Sequence, residues 1–241
     1  MNTVQRQYDG AGLWVVVPAA GIGSRMQTDR PKQYLPLAGQ TVLEHTLKQL
    51  LNHPQVKGVV LSLAAEDHYW QDLPTLNDPR IITVVGGEQR CHSVLNGLLA
   101  LTERIDVADW VLVHDVARPC LSYVELDSLL SAALYTNHDG CVLGLPVRDT
   151  MKQTSAKGVV ELTPDRACLW HAFTPQMFRL AQLIAALEQC LAKELLVTDE
   201  ASAMEQCGYT VQMVAGSANN IKITRPEDLP LAEFILAMAG K

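Results

Sequence analysis

Short runs of apolar, mostly β-branched residues alternate along the chain with stretches of helical spacing. Thr41 with Glu44 and Ser122 with Glu125 form capping-box patterns that predict where two of the helices begin. Alternating strands and helices are typical of a mainly parallel α/β sheet. Buried strands are predicted at residues 13–17, 56–63, 81–85, 110–113 and 141–147.

The alternation breaks at residues 148–165, where two short strand-like runs surround a turn at 155–158. This pattern predicts a projecting β-hairpin. Its sides carry Val159, Val160 and Leu162, which are too apolar to lie comfortably in water. We expect a second subunit to cover the hairpin, with packing against its own domain as the alternative.

The C-terminal third predicts further helices at 179–193 and after Thr198, followed by edge strands at 211–214 and 220–223. Thr224 with Glu227 suggests a third capping box at the start of the last helix. No repeat or linker divides the sequence. We therefore expect a single domain, residues 1–241, with the hairpin arm at about 148–165.

Composition narrows the possible partners and the location. A net charge of −7 argues against broad binding to nucleic acid or to an anionic membrane, and no apolar run is long enough to span a bilayer. The six cysteines show no C-x-x-C spacing, and we expect reduced core thiols in a cytoplasmic protein. The first apolar run makes a poor secretion signal, because Pro18 interrupts it.

A glycine-containing loop follows the first predicted strand, in V-V-V-P-A-A-G-I-G-S-R-M. Its small residues leave backbone N–H groups open to a phosphate, although a purely structural turn has the same composition. Arg25, Arg30 and Lys32 make the following segment unusually basic for an acidic protein. The combination favours a polyphosphate site over a solvated basic face. The loop residues are Ala19, Ala20, Gly21 and Gly23.

Two better-known phosphate loops do not match. Met26 stands where the dinucleotide fingerprint needs a small residue, and no acidic residue ends a following strand at the required distance. The Walker spacing is also absent. We therefore infer a nucleoside triphosphate or phosphosugar loop of another type.

Polar residues also follow two other predicted strands, and these should meet the loop at one edge of the sheet. Gly87 and Ser93, in G-G-E-Q-R-C-H-S, suit contact with a base or simply the entry to a helix. Asp115, in H-D-V-A-R-P, closes an apolar strand, where a carboxylate needs a cation. Arg118 and a phosphate-bound Mg²⁺ are both candidates.

The sequence offers few other candidates for catalytic or metal-binding residues. Lys222 is the charged residue in the otherwise uncharged stretch N-N-I-K-I, and Arg166 follows the hairpin. The histidines have no zinc-ligand spacing, so no dedicated metal site is expected. No G-x-S-x-G nucleophile motif occurs.

Taken in order, the motifs resemble the 2-C-methyl-D-erythritol 4-phosphate cytidylyltransferase family, CTP-using enzymes of the non-mevalonate isoprenoid pathway. The motifs are P-A-A-G-I-G-S-R-M with P-K-Q-Y, G-G-E-Q-R-C-H-S-V, H-D-V-A-R-P, P-V-R-D-T, W-H-A-F-T-P-Q, T-D-E-A-S and N-I-K-I-T-R-P-E-D. The resemblance implies a Rossmann-like nucleotidyltransferase fold and Mg²⁺-dependent transfer of CMP from CTP. It also implies a homodimer with exchanged hairpin arms.

The resemblance assigns roles by motif. Arg25 and Lys32 match residues that contact the CTP phosphates and stabilise the transition state, while Arg166 and Lys222 match the pair that positions the attacking phosphate. Mg²⁺ would be bound mainly through the CTP phosphates, near Asp115. The cytidine pocket corresponds to Ala19, Ala20, Gly87, Glu88 and Ser93. The surroundings of the two substrates correspond to Asp115, Arg118, Asp149, Thr150, Arg166, Thr174, Thr198 and Lys222.

The sequence departs mildly from the family pattern at two positions. Glu88 stands where related sequences often have Asp, and Val116 where Ala is usual.

Two alternative functions stay open. A ribitol 5-phosphate cytidylyltransferase would share the nucleotide half of the site. A non-catalytic nucleotide sensor would keep the glycine loop but form no diphosphate. With no second domain after residue 241, we expect the form without a fused cyclodiphosphate synthase.

Overall fold

The organising element is a seven-stranded sheet with two short strand pairs beside it. The computed structural model describes residues 12–21, 26, 30–135 and 137–239. In these ranges the strands are β1 (Leu13–Pro18), β2 (Pro36–Leu37), β3 (Gln40–Thr41), β4 (Val56–Leu63), β5 (Ile81–Val85), β6 (Trp110–Val113), β7 (Gly140–Pro146), β8 (Gln153–Thr154), β9 (Val160–Leu162), β10 (Trp170–Arg179) and β11 (Val211–Ala215).

The large sheet has the order β11-β7-β10-β6-β1-β4-β5. Strand β10 runs antiparallel to both of its neighbours, and the other paired strands are parallel. This confirms the predicted mainly parallel α/β sheet. The apolar pattern did not predict β10 as a strand, because its first residues, from Trp170 to Ala172, are exposed and its buried part begins at Thr174.

Helices cover both faces of the sheet, because side chains of the central strand alternate between them. Val15 and Val17 of β1 lie in one apolar cluster and Val16 in the other. The first cluster includes leucines of the first and third helices, and the second includes residues of the second, fourth and fifth. Within the described ranges, no helix is both long and apolar enough to cross a membrane. The helices are α1 (Val42–Leu51), α2 (Arg90–Leu99), α3 (Tyr123–Tyr135), α4 (Leu180–Ala192), α5 (Glu200–Gln206) and α6 (Asp228–Ala239).

Two predicted capping boxes are confirmed. The Thr41 hydroxyl accepts from the Glu44 N–H at 3.2 Å, and the Glu44 carboxylate accepts from the Thr41 N–H at 2.8 Å. Ser122 and Glu125 make the same reciprocal pair, at 3.3 and 3.1 Å. Each box satisfies two N–H groups that a helix start leaves without intrahelical partners.

Two predictions near the C-terminus are wrong. Residues 220–223 form no strand, because this segment is tied down by side chains; the Asn220 amide, for example, donates to the Thr174 carbonyl at 3.0 Å. The last helix is capped by Asp228, not by a box of Thr224 and Glu227. The Asp228 carboxylate accepts from the backbone N–H of Thr224 at 2.8 Å, one residue further along than the motif suggests.

Most cysteines fit the prediction of reduced core thiols. All six are free, and Cys91, Cys120, Cys141 and Cys190 are buried. Cys168 is exposed and Cys207 is half-buried, so the prediction is wrong for Cys168. That residue lies in a short turn between the arm and β10, where the chain leaves the core.

Strands β8 and β9 form the predicted hairpin arm. The N–H of Gly158 donates to the Ser155 carbonyl at 2.9 Å, and Gly158 has a φ of +77°, which a residue with a side chain rarely adopts. Val159, Val160 and Leu162 are 64%, 54% and 54% exposed in a single chain. The arm therefore presents an uncovered apolar surface.

Candidate active site at the carboxyl edge of the sheet

The sheet order creates a crevice beside its central strand. From β1 the chain adds β4 and then β5 on one side, and it later crosses to β6 on the other side. Connections that leave in opposite directions open a space at the carboxyl ends of the strands, where open α/β sheets bind their ligands. The segments after β1, β5 and β6 meet at this point.

The first cavity, here called the glycine-loop cavity, has an empty volume of about 630 Å³ including its open mouth. It brings together predicted residues from four separate segments. They are Ala19, Ala20, Gly21, Lys32, Gly87, Glu88, Ser93, Asp115 and Lys222.

The loop after β1 is fixed through the backbone N–H and carbonyl of Ala19. The Ala19 N–H donates to the Ser62 carbonyl at 2.8 Å, and the buried Gln33 amide donates to the Ala19 carbonyl at 2.7 Å. A Cβ at Gly86 would lie 2.6 Å from the Ala20 Cβ, so the two loops approach as closely as they do only because residue 86 is glycine. These contacts fix the position of the loop where it lines the cavity.

Ser93 shapes the second loop from within. Its hydroxyl is buried and accepts from the Gly87 N–H at 3.0 Å. The same hydroxyl lies 3.3 Å from the Gln89 carbonyl, to which it can donate. The helix-entry interpretation of Ser93 is therefore realised in the structure, and the residue presents the Gly87 and Glu88 backbone to the cavity.

Asp115 is the electrostatic centre of the site. It is 7% exposed, and its Oδ1 accepts from Arg90 Nε at 3.0 Å while its Oδ2 accepts from Lys222 Nζ at 2.6 Å. The sequence offered Arg118 as its partner, but Arg118 Nε is farther away, at 3.9 Å. Burial alone would raise the pKa of Asp115; the positive charges of Arg90 and Lys222 outweigh it and hold the pKa well below its ordinary value.

A second cavity, here called the threonine cavity, lies on the other side of Asp115. It shares Arg90, Asp115 and Lys222 with the glycine-loop cavity. The predicted residues that it brings together are Asp115, Arg118, Thr174, Thr198 and Lys222. The two cavities are therefore neighbours that meet at one group of charges.

Buried hydrogen bonds hold the wall of the threonine cavity. The Thr174 hydroxyl accepts from the Asp115 N–H at 3.0 Å and contacts His114 Nδ1 at 3.2 Å. His114 Nε2 contacts the Arg118 carbonyl at 3.0 Å, and since a carbonyl only accepts, this nitrogen carries the proton. Burial lowers the pKa of His114 to about 4, so the ring is neutral near pH 7.

Arg118 is held in place rather than exposed to solvent. Its Nη1 donates to the Asn220 carbonyl at 2.6 Å, and its guanidinium carbon lies 4.7 Å from the centre of the Phe173 ring. Burial lowers the pKa of Arg118, although the group stays charged at neutral pH. Arg118 therefore supplies a fixed positive charge at the wall of the threonine cavity.

Some predicted site residues lie elsewhere. Asp149, Thr150 and Arg166 line neither cavity. Arg166 is exposed beside the arm, where its guanidinium donates to the Arg148 carbonyl at 2.5 Å. Gly23 and Arg25 lie outside the described residues.

Three residues that the sequence did not predict also contribute to the site: Arg90, Gln33 and Glu200. Arg90 lines both cavities and Gln33 lines the first, while Glu200 binds Arg90 from behind. Arg90 could have been found, because it lies in the same segment after β5 as Gly87 and Ser93. Glu200 could not, because an acidic residue in the first turn of a helix is usual on a solvated surface.

Comparison with known proteins gives a consistent result. The family model of 2-C-methyl-D-erythritol 4-phosphate cytidylyltransferase matches residues 13–238. The enzyme of that name from Tolumonas auensis is 52% identical over 92% of this chain and 95% of its own length. The one from Aeromonas hydrophila is 53% identical over 93% of this chain and 90% of its own.

A solved structure agrees in its fold. The crystal structure of the Francisella tularensis enzyme of the same name superposes with a TM-score of 0.81 at 37% identity, covering 93% of this chain and 99% of its own. The range matched by the family model, 13–238, contains the sheet and the residues that line both cavities. The chain belongs to the 2-C-methyl-D-erythritol 4-phosphate cytidylyltransferase family.

Proposed function

We propose that the protein transfers CMP from CTP to 2-C-methyl-D-erythritol 4-phosphate, releasing diphosphate, in the synthesis of isoprenoid precursors. The observation that carries this proposal is the pair of adjacent cavities that share Arg90, Asp115 and Lys222. A glycine loop lines one cavity and threonines line the other. Such a pair suits a nucleotide and a phosphorylated alcohol whose phosphates meet at the shared charges.

The reaction needs no general base. A phosphate monoester has a second pKa of about 6, so its oxygen is already anionic at neutral pH and can attack the α-phosphorus of CTP. One P–O bond forms, the bond to the β-phosphate oxygen breaks, and diphosphate leaves with the electron pair. His114 fits this scheme, because both of its ring nitrogens are engaged in buried hydrogen bonds.

The main task of the protein is then to orient two anions that repel each other and to neutralise the charge that develops between them. Lys222 lies in both cavities, where it can meet the attacking phosphate. Lys32 lines the nucleotide side, and its ammonium donates to the Ile223 carbonyl at 3.1 Å. We propose that Lys32, together with Arg25, contacts the triphosphate.

The cytidine base and ribose would occupy the glycine-loop cavity. Its wall consists of Ala19, Ala20 and Gly21 on one side and the Gly87–Glu88 backbone on the other. Exposed backbone N–H and carbonyl groups on rigid turns can read the edge of a base without moving. Gly23 would extend the same loop. The acceptor would lie against Arg118, Thr174 and Thr198.

Mg²⁺ fits this donor set as an ion that arrives with the nucleotide. Asp115 is a carboxylate at the boundary of both cavities, and within the described residues no group of three or more His, Cys, Asp or Glu side chains forms a separate cage. Mg²⁺ is usually held by one or two carboxylates together with substrate phosphates and water. We propose Asp115 as its protein ligand; the bound ion would neutralise part of the triphosphate charge.

In this scheme, the predicted site residues of the arm contribute to the acceptor site of a second chain. Asp149, Thr150 and Arg166 line neither cavity of their own chain, and the arm exposes Val159, Val160 and Leu162. We propose a homodimer in which the arm of one subunit reaches the threonine cavity of the other. This arrangement would bury the apolar arm and complete the acceptor site at the same time. CTP and the acceptor are charged metabolites, so we propose the cytoplasm as the location.

The test is a diphosphate-release assay with CTP, Mg²⁺ and one acceptor at a time. We expect diphosphate with 2-C-methyl-D-erythritol 4-phosphate and little with ribitol 5-phosphate. Omitting the acceptor gives the background rate. Faster turnover of ribitol 5-phosphate would overturn the proposed acceptor, and CTP binding without diphosphate from either acceptor would overturn the enzymatic function.

A further inference from the structure

A fully buried carboxylate lies directly behind the shared charges of the two cavities. Glu200 is 0% exposed. Its two oxygens accept from Arg90 Nη1 at 2.6 Å and from Arg90 Nη2 at 3.0 Å. This is the bidentate geometry in which a planar guanidinium and a carboxylate fix each other's orientation. Glu200 itself lines neither cavity.

The position of Glu200 is set by its neighbours in the first turn of α5. The Gln176 amide of β10 donates to the Asp199 carboxylate at 2.8 Å. The carbonyl oxygen of the same amide accepts from the Ala201 N–H at 2.9 Å. Residues on both sides of Glu200 are thus attached to a central strand, so the carboxylate is part of a rigid support.

Arg90 transmits this orientation to the site. Its remaining nitrogen, Nε, donates to Asp115 Oδ1 at 3.0 Å, which leaves Oδ2 for Lys222 at 2.6 Å. The three nitrogens of a guanidinium lie in one plane, so fixing two of them on Glu200 fixes the direction of the third. A continuous series of charges therefore runs from Glu200 through Arg90 and Asp115 to Lys222.

We infer that Arg90 and Glu200 are positioning residues for the transfer reaction, which hold Asp115 and through it Lys222 at the boundary of the two cavities. The inference rests on the proposed function and deepens it. When Lys222 turns towards a substrate phosphate, Arg90 still holds Asp115, so the carboxylate keeps a partner. A lysine at position 90 has one donor group instead of a fork and cannot hold both carboxylates in this geometry.

The test compares Glu200→Gln with a matched variant of another buried carboxylate. Glu200→Gln should lower kcat about tenfold, since small displacements of reacting groups cost this much or more, and should leave the Kd for CTP within about threefold. Glu44→Gln is the control, because Glu44 is also buried and hydrogen-bonded but lines neither cavity. It should change Tm but not kcat or KM by more than about twofold.

Two further variants separate positioning from folding. Glu200→Asp keeps the charge but shortens the side chain, so it should fold and still lose turnover. Arg90→Lys should lower kcat as Glu200→Gln does, and the double variant should be no slower than the slower single one, because both changes disable one unit.

The inference would be overturned if Glu200→Asp and Glu200→Gln kept kcat and both KM values within about twofold of wild type while the wild type is active. Losses that multiply in the double variant would also overturn it. A wild type that forms no diphosphate would instead overturn the proposed function, so the two failures are distinguishable.

Discussion

Predicted site residues lie both at the carboxyl edge of the sheet and on the hairpin arm, but the two groups differ in burial and hydrogen bonding. At the edge, Asp115 and Thr174 are buried and hydrogen-bonded, and they belong to strands or to the loops directly after them. On the arm, Asp149, Thr150 and Arg166 are exposed, as are the apolar side chains of Val159, Val160 and Leu162. The edge is preorganised by its own fold, whereas the predicted site residues of the arm line neither cavity of their own chain.

Under the proposed function, this difference means that the two substrates depend on a second subunit to different degrees. The described lining of the glycine-loop cavity belongs to the edge, so under the proposed function the nucleotide half of the site should not depend on a second subunit. The threonine cavity has one wall from the edge, and we propose that the arm of a partner supplies the other. Nucleotide binding should accordingly tolerate changes to the arm, while use of the acceptor should not.

The largest expected effect would come from a cation of the edge. Lys32→Ala should lower kcat about a hundredfold or more, because a charge that stabilises the transition state is lost. Steady-state diphosphate release measures this. Lys48→Ala on the exposed side of α1 is the matched control and should stay near wild type. Turnover of Lys32→Ala close to wild type would contradict the assigned role.

The buried hydrogen bonds of the edge should give the next largest effect, in stability. The pKa of His114 is lowered by burial to about 4 in the folded protein, against about 6.5 in the unfolded chain. The unfolded state therefore binds more protons between these values, and stability is lost as the pH falls. Between pH 7.5 and pH 5 the group should cost about 2 kcal/mol, or about thirtyfold in the unfolding constant.

Urea unfolding of wild type and His114→Gln at both pH values measures this difference. Glutamine can keep both hydrogen bonds but does not titrate in this range, so its stability should fall less steeply. His68→Gln changes an exposed histidine and should follow wild type. Parallel curves for wild type and His114→Gln would show that the edge does not depend on a neutral ring at this position.

The smallest expected effect is on the KM for the acceptor, and it compares one residue of the arm with one residue of the edge. Arg166→Ala and Lys222→Ala should each raise the KM for the acceptor about tenfold and leave the Kd for CTP nearly unchanged. If arms act across the dimer, a mixed dimer of the two variants has one site with both wild-type residues. Mixing and re-equilibrating the subunits should then restore roughly a quarter of wild-type activity at low acceptor concentration.

A second mixture is the control for this recovery. Lys222→Ala with Lys32→Ala combines two changes at the edge, so neither site of the mixed dimer is intact and no recovery is expected. If the mixture with Arg166→Ala gives only the average of its two components, each arm does not serve the other subunit.

Local composition explains how much of this site could be predicted. The strand ends, the glycine loop and Asp115 were found because each stands next to an apolar run of strand length. The Glu200–Arg90 contact could not be found, since it joins residues 110 positions apart and both belong to helix starts with ordinary compositions. Strand β10 was not predicted for a related reason. Its first residues are exposed, so the segment as a whole lacks the apolar pattern of a buried strand.

The reversal of β10 has a consequence for how such a site can change. Strand β7 ends at the carboxyl edge with Pro146, and β10 starts at that same edge, where Trp170 pairs with Pro146. The whole arm is therefore inserted between two neighbouring strands that need no crossover helix. Its length and tip can vary without altering any layer of the core. If the arm completes the acceptor site as proposed, changes confined to this segment would alter acceptor preference, by evolution or by design, and leave the nucleotide half of the site intact.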